Sequence, residues 1–190
     1  GIIGWGNNDI PTKGMIDLMV QSSDPRLRCM FQPGGSAPAN TYKGLDLTLD
    51  AGAQTTLIDG GTLSRYNFGL TKSHALPGIL ITAAEVQLLL ADYYLNIAGN
   101  DASAKTAYEN AIKSSIDFYY HLRNISDNQD ASAGSLNPTN DTEKDNYINN
   151  TNISWTQAST KDQKNVLIAN QKWLNYSIFQ PNESWAEMRR

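Results

Sequence analysis

The sequence predicts a mainly α-helical fold, in which helical hairpins stand beside a loop-rich excursion containing short strands. Three observations predict it. Apolar residues recur at helical spacing through residues 79–122 and again through 160–176. Both stretches carry a capping box, Thr82-Ala83-Ala84-Glu85 and Thr160-Lys161-Asp162-Gln163. There a hydroxyl and a carboxyl or amide three residues on satisfy backbone N–H groups that a helix start leaves without partners. Residues 1–78, by contrast, are broken by Pro25, Pro33, Pro38 and Pro77 and by Gly34-Gly35 and Gly60-Gly61, which interrupt any long periodic element.

The elements follow in order. Met15, Ile16, Leu18, Met19 and Val20 make Gly14–Gln21 a short helix. Arg26–Gln32 reads as a short strand, and Leu45–Leu49 as a half-buried one, because its apolar residues alternate with Asp46 and Thr48. The first long helix runs from Thr82 to about Ala98, closed by Gly99, and Asn100-Asp101 turn the chain. The second runs from about Ser103 to Leu122 and buries Ala104, Ala107, Tyr108, Ala111, Ile112, Ile116 and Tyr119. So short a connection makes the pair antiparallel. An Asn- and Asp-rich stretch follows, with a short helix expected over Asn140–Asn149. The helix over 160–176 places Val166, Ile168, Ala169, Trp173 and Tyr176 largely on one side. Phe179-Gln180-Pro181-Asn182 ends it, and Ser184-Trp185-Ala186-Glu187 starts a last helix. The expected division is a loop-rich excursion over 1–78 and a helical scaffold over 79–190. The scaffold comprises a hairpin at 79–122, a polar loop at 123–158 and helices at 159–190.

Composition narrows the function. The net charge is −4 and the basic residues are scattered singly, so no nucleic-acid partner is expected. A membrane-spanning helix needs about 18 or more apolar residues. The nearest run, Ile79–Leu95, is interrupted by Thr82, Glu85, Gln87 and Asp92. The single cysteine, Cys29, follows the charged run Asp24-Pro25-Arg26-Leu27-Arg28, which is unlike a lipid-attachment site, and Gly1–Asn8 is unlike a secretory signal. No nucleophile elbow, glycine-rich phosphate loop or HExxH zinc motif occurs. Asp127–Asp130 and Asp141–Asp145 cluster carboxylates without calcium-loop spacing. The expectation is a non-enzyme with no catalytic residues, no metal site and no cofactor.

Leu90-Ala91-x-x-Tyr94 followed by Ala104-x-x-x-Tyr108-x-x-Ala111 is a partial tetratricopeptide pattern. Small residues let two helix backbones approach, and tyrosines fill the space beside them. One such hairpin cannot bury both its faces and calls for stacked neighbours. The alternative is an unrelated antiparallel helix pair. Four aromatics, Trp5, Tyr42, Tyr66 and Trp155, lie in polar, loop-like contexts and are the candidate ligand-binding residues. Planar rings there either stack on a sugar ring or peptide group, or plug a loop onto the core. Trp173 and Trp185 lie on helices and are assigned to packing.

Several runs carry a family likeness. They are Ser23-Asp24-Pro25-Arg26-Leu27, Tyr42-Lys43-Gly44, Ile79-Leu80-Ile81-Thr82-Ala83-Ala84-Glu85-Val86-Gln87-Leu88-Leu89-Leu90-Ala91-Asp92, Ala107-Tyr108-Glu109-Asn110-Ala111-Ile112-Lys113-Ser114-Ser115, Ile168-Ala169-Asn170-Gln171-Lys172-Trp173 and Glu183-Ser184-Trp185-Ala186-Glu187-Met188-Arg189-Arg190. In this order they resemble the SusD/RagB-like family, with Asp92 standing where the family commonly has Glu. The resemblance implies a tetratricopeptide-like scaffold and a bacterial outer-membrane lipoprotein exposed at the cell surface. It implies non-catalytic capture of nutrient, usually oligosaccharide and sometimes peptide, and delivery to a TonB-dependent SusC-like transporter. Against the family pattern the chain is truncated at both ends, so a lipid anchor is expected only in a region missing from it. Ligand residues vary among members and none is carried over. The competing reading is a helical-repeat protein-interaction scaffold whose groove presents Gln87, Asp92 and Lys105.

Overall fold

The computed structural model describes residues 10–128, 134–187 and 189. The fold is mainly α-helical with two very short strands among the described residues. It comprises two compact units, residues 1–76 with 119–140, and residues 77–118 with 141–190.

The first unit opens with α1 (Lys13–Gln21), which buries Met15, Ile16 and Met19. The chain then turns through Ser23, whose φ is +55°. The segment expected as a strand over Arg26–Gln32 is instead a helical turn, α2 (Leu27–Met30), running into a two-residue strand, β1 (Phe31–Gln32). The reason lies at Asp24. Its carboxylate accepts the Arg26 backbone N–H at 2.9 Å and the Arg26 guanidinium at 2.6 Å, both inside the unit. That turn leaves the Arg26 carbonyl to accept from Cys29 and Met30, and helix begins. The unit continues with α3 (Ala51–Asp59), capped by Asp50, then β2 (Arg65–Tyr66) and α4 (Phe68–Thr71). β1 and β2 pair antiparallel, Phe31 opposite Tyr66.

The strand expected over Leu45–Leu49 reduces to one bridge between Thr12 and Leu45. Asp46 turns the rest away by accepting from the Thr48 N–H at 3.0 Å and the Thr48 hydroxyl at 2.7 Å. Gly44 precedes the bridge because a Cβ there would overlap the Thr12 carbonyl. The third residue of Tyr42-Lys43-Gly44 is therefore set by backbone contact.

The second unit follows its expectation more closely. Helix α5 (Ala83–Asn96) starts on the Thr82–Glu85 capping box, with both reciprocal bonds present. Gly99 takes φ +63°, and the Asn100 side chain accepts from Ser103 N at 3.1 Å. α6 (Asp101–Ile125) therefore begins two residues before its expected start. All seven residues expected on its buried face are buried. α7 (Asp141–Ile148) inserts Tyr147 and Ile148, and a 3-10 turn (Trp155–Gln157) inserts Trp155. α8 (Lys161–Tyr176) carries the second complete capping box, and α9 (Pro181–Glu187) starts on a proline, three residues before its expected start.

The buried side of α8 differs from expectation. Leu167, Ile168, Leu174 and Tyr176 are inside, but so are Gln171, Lys172 and Asn175, while Val166 and Ala169 face outward. Each of the three buried polar residues has a partner. Gln171 donates to the Tyr147 hydroxyl at 3.0 Å, Asn175 to the Thr82 hydroxyl at 3.3 Å, and Lys172 to two carboxylates. Pairing of this kind offsets much of the cost of burying polar groups.

Candidate functional site

The four aromatics do not form one cluster. Trp5 lies outside the described residues. Trp155 is 2% exposed. Its ring packs on Tyr108 at 5.3 Å between centroids, and the Lys164 ammonium lies 5.3 Å from the ring centre. Its indole N–H points at the Asp101 carboxylate, 3.3 Å away. Trp155 thus plugs a loop onto the helical core, the alternative that the sequence leaves open for each of the four aromatics.

Tyr42 and Tyr66 lie in the first unit, on neighbouring stretches. The Lys43 N–H donates to the Ser64 hydroxyl at 2.9 Å, and Ser64 N–H returns a bond to the Lys43 carbonyl at 2.8 Å. Tyr66 leans on Phe31 with ring centroids 5.1 Å apart. Both tyrosines remain half-buried, with part of each surface open. Burial pushes the Tyr42 hydroxyl above its ordinary pKa, and the nearby Arg28 charge opposes that rise. Tyr42 is therefore a neutral phenol across the physiological range, able to donate and accept. Arg28 itself is fixed, its guanidinium 5.4 Å from the Tyr120 ring and its Nε 3.3 Å from the Asn137 carbonyl. Tyr42, with the Arg28 charge near it, and Tyr66 on the neighbouring stretch are thus the sequence-predicted rings that keep open surface in this unit.

The second unit holds two further concavities of interest. A groove of about 380 Å³ between α5 and α6 is lined by Gln87, Leu90, Tyr94, Ser103, Thr106 and Asn110. Gln87 belongs to the expected interaction groove, but Asp92 does not. Asp92 lies instead on a cavity of about 480 Å³ between α5, α8 and α9. There Lys172, 3% exposed, bridges Asp92 at 3.3 Å and Glu187 at 3.0 Å. Asn96 donates to Asp92 at 2.7 Å and to Asn165 at 2.9 Å.

This charged joint was not foreseen from sequence, although its signal was present. Asp92, Lys172 and Glu187 come from three of the runs that carry the family likeness. A further link reaches outside those runs. Glu85 of the capping box accepts from Gln180 at 3.0 Å, and Thr82 accepts from Asn175. These motif residues are fastened to one another, so their first role is architectural. Among the described residues no group of His, Cys, Asp and Glu is placed to hold a metal ion. No helix of the described residues is long and apolar enough to cross a membrane.

No curated protein matches the chain. A solved candidate outer-membrane protein of Bacteroides vulgatus ATCC 8482, with nutrient binding as its expected role, shares the fold at a TM-score of 0.69 and 20% identity. The match covers 92% of this chain and 39% of that one, so this chain spans about two fifths of its structural relative. The model of the SusD-like family, described as starch-binding and associating with the outer membrane, matches residues 6–190. With nearly its whole length inside that match, this chain belongs to the SusD-like family.

Proposed function

We propose that this chain is part of a non-catalytic protein that captures nutrient at the bacterial outer membrane. The observation that carries the proposal is the family match over residues 6–190. The nutrient class is oligosaccharide, starch-derived glucans first. The captured ligand passes to a TonB-dependent SusC-like transporter, and a lipid anchor in sequence outside this chain holds the parent protein at the cell surface. The helices form the frame, and the loop-rich unit carries recognition. Tyr42 and Tyr66 are the proposed contacts, joined by Trp5 on sequence grounds. Each ring offers a flat apolar face for a pyranose, worth about 0.5–1.5 kcal/mol.

Isothermal titration against malto-oligosaccharides, other glucans and short peptides tests the reading. Saturable binding of a glucan is expected, with Tyr42→Ala and Tyr66→Ala each weakening it about three- to tenfold. Selective binding of peptides would move the ligand class. Binding unchanged in the double variant would remove the two tyrosines from the site. A second reading, a protein-interaction scaffold, is favoured by the groove between α5 and α6, whose Gln87 and Asn110 amides suit a peptide backbone. Co-purification with the transporter in the absence of glycan binding would support it.

A further inference from the structure

A smaller concavity of the second unit lies between α8 and α9. It is a cleft of about 250 Å³ lined by Ala169, Asn170, Trp173, Ser184 and Glu187. Residues three or four apart share one side of an α-helix. Ala169, Asn170 and Trp173 therefore fall on one side of α8, and Ser184 and Glu187 on one side of α9. Ala169 brings only a methyl group, which leaves room beside the Trp173 ring. The sequence assigns Trp173 to packing, yet the structure leaves it only half-buried. Its indole N–H, the Asn170 side-chain amide and the Ser184 hydroxyl make no hydrogen bond within the chain among the described residues. A tryptophan that packs inward usually gives its N–H to an acceptor, as Trp155 does with Asp101. Glu187 is different, because its carboxylate lies 3.0 Å from the Lys172 ammonium, which holds it in place. Ala169 and Glu187 also border the cavity of about 480 Å³ on which Asp92, Asn96 and Asn165 lie.

These groups define a ligand. A flat apolar ring surrounded by an amide, a hydroxyl and a carboxylate suits a pyranose, which has an apolar C–H face and hydroxyls that both donate and accept. The described lining residues include no cation, so an anionic ligand finds no partner there. Glu187 is already paired with Lys172, so a cationic ligand gains little. Pockets that enclose drug-sized molecules run to about 300–1,000 Å³. The cleft is smaller and takes one ring, and its shared edge with the larger cavity leads a second ring towards Asn165. We propose that the α8–α9 cleft is a second saccharide-binding site, in which a neutral hexose unit stacks on Trp173 and hydrogen-bonds to Asn170, Ser184 and Glu187. The proposal stands on the geometry of this cleft. It does not depend on the Tyr42 and Tyr66 contacts, which belong to the other unit.

Nuclear magnetic resonance tests it, because the chain has four tryptophans and hence four indole N–H signals. Trp173→Phe identifies the Trp173 signal by its loss. The nitrogen-labelled chain is titrated with maltose, cellobiose and lactose, and in parallel with tri-alanine and inorganic phosphate. A saturable shift of the Trp173 signal is expected with at least one disaccharide and with neither of the other probes. The shift should persist in the Tyr42→Ala/Tyr66→Ala double variant, so failure of that site and failure of this one are read separately. Asn170→Ala and Ser184→Ala remove side-chain groups that have no partner within the chain. Each should weaken the disaccharide about two- to tenfold and leave the other three indole signals in place, which reports an intact fold. A Trp173 signal that no disaccharide moves overturns the proposal. So does a shift that vanishes in the double tyrosine variant, or an affinity that neither Asn170→Ala nor Ser184→Ala changes. A saturable shift with tri-alanine or phosphate alone overturns the assignment to saccharide.

Discussion

At the scale of single residues, burial separates structural aromatics and charges from those available to a ligand. Trp155 has its ring on Tyr108 and its N–H on Asp101. Trp155→Ala should cost about 3–5 kcal/mol of unfolding free energy, read by urea denaturation. Asp101 adds a pH signature. Its carboxyl is held below the ordinary 3.8, chiefly by the Lys164 hydrogen bond; partial burial opposes this and the Trp155 N–H adds to it. A pKa lower in the folded state means the stabilisation is complete above the unfolded value and is lost as pH falls through the folded one. Asp101→Asn should therefore flatten the decline of melting temperature below about pH 4 and leave its slope near neutrality unchanged. Asp24 presents the opposite environment, paired with Arg26 where both side chains are fully buried. Asp24→Ala removes the carboxylate that faces a buried guanidinium and should cost about 3–5 kcal/mol. Little of this was legible beforehand. A tryptophan in a polar loop reads the same whether it faces water or plugs the core, and an acid two residues before an arginine does not announce its burial.

At the scale of elements, the helices with strong periodicity were legible and the weakly amphipathic ones were not. α6 followed its small-and-aromatic seam position by position, because seven apolar or small residues on one face leave a single way to bury it. α3 leaves no periodic signal in the sequence because it buries nothing and rests on its Asp50 cap. α8 is the helix that the spacing predicts, but the side it buries is not the apolar side that the spacing marks. Lys172 is mostly found exposed in proteins, and its two carboxylate partners are distant in sequence. Those partners lie on α5 and α9, so the lysine clamps three helices. Lys172→Met keeps the stem and removes the charge, leaving Asp92 and Glu187 to repel each other. Amide hydrogen exchange over residues 181–187 should then accelerate well ahead of exchange in α5. Thr82→Ala removes both the cap of α5 and the acceptor for Asn175. It should cost about 1–2 kcal/mol, against less for Thr160→Ala, whose cap is exposed to solvent.

At the scale of the whole molecule, the family was legible as an ordered set of short runs, and the structure supplies their physical meaning. Pro25 offers its carbonyl to the Tyr120 hydroxyl at 2.9 Å, Gly44 admits a crossing backbone, and Asp92, Lys172 and Glu187 share one joint. These contacts belong to the frame, so the runs point to the fold and are silent about the nutrient. The candidate site was legible only as residue types; which rings stay open depends on packing across the loop-rich unit. Cys29 gives that unit a native reporter. Its thiol is buried, pushed far above the usual range by desolvation, and donates to the Tyr119 carbonyl at 3.0 Å. It should resist a thiol reagent until the unit unfolds, so its labelling rate in denaturant measures that opening. The α5 cap has a last consequence, for synthesis. Thr82 and Glu85 are held by Asn175 and Gln180, 93 and 95 residues further on. A ribosome adding about 5–20 residues per second leaves that helix start without its clasp for roughly 5–20 s. Over that interval the nascent α5, apolar on both faces, is the segment most in need of a chaperone's cover.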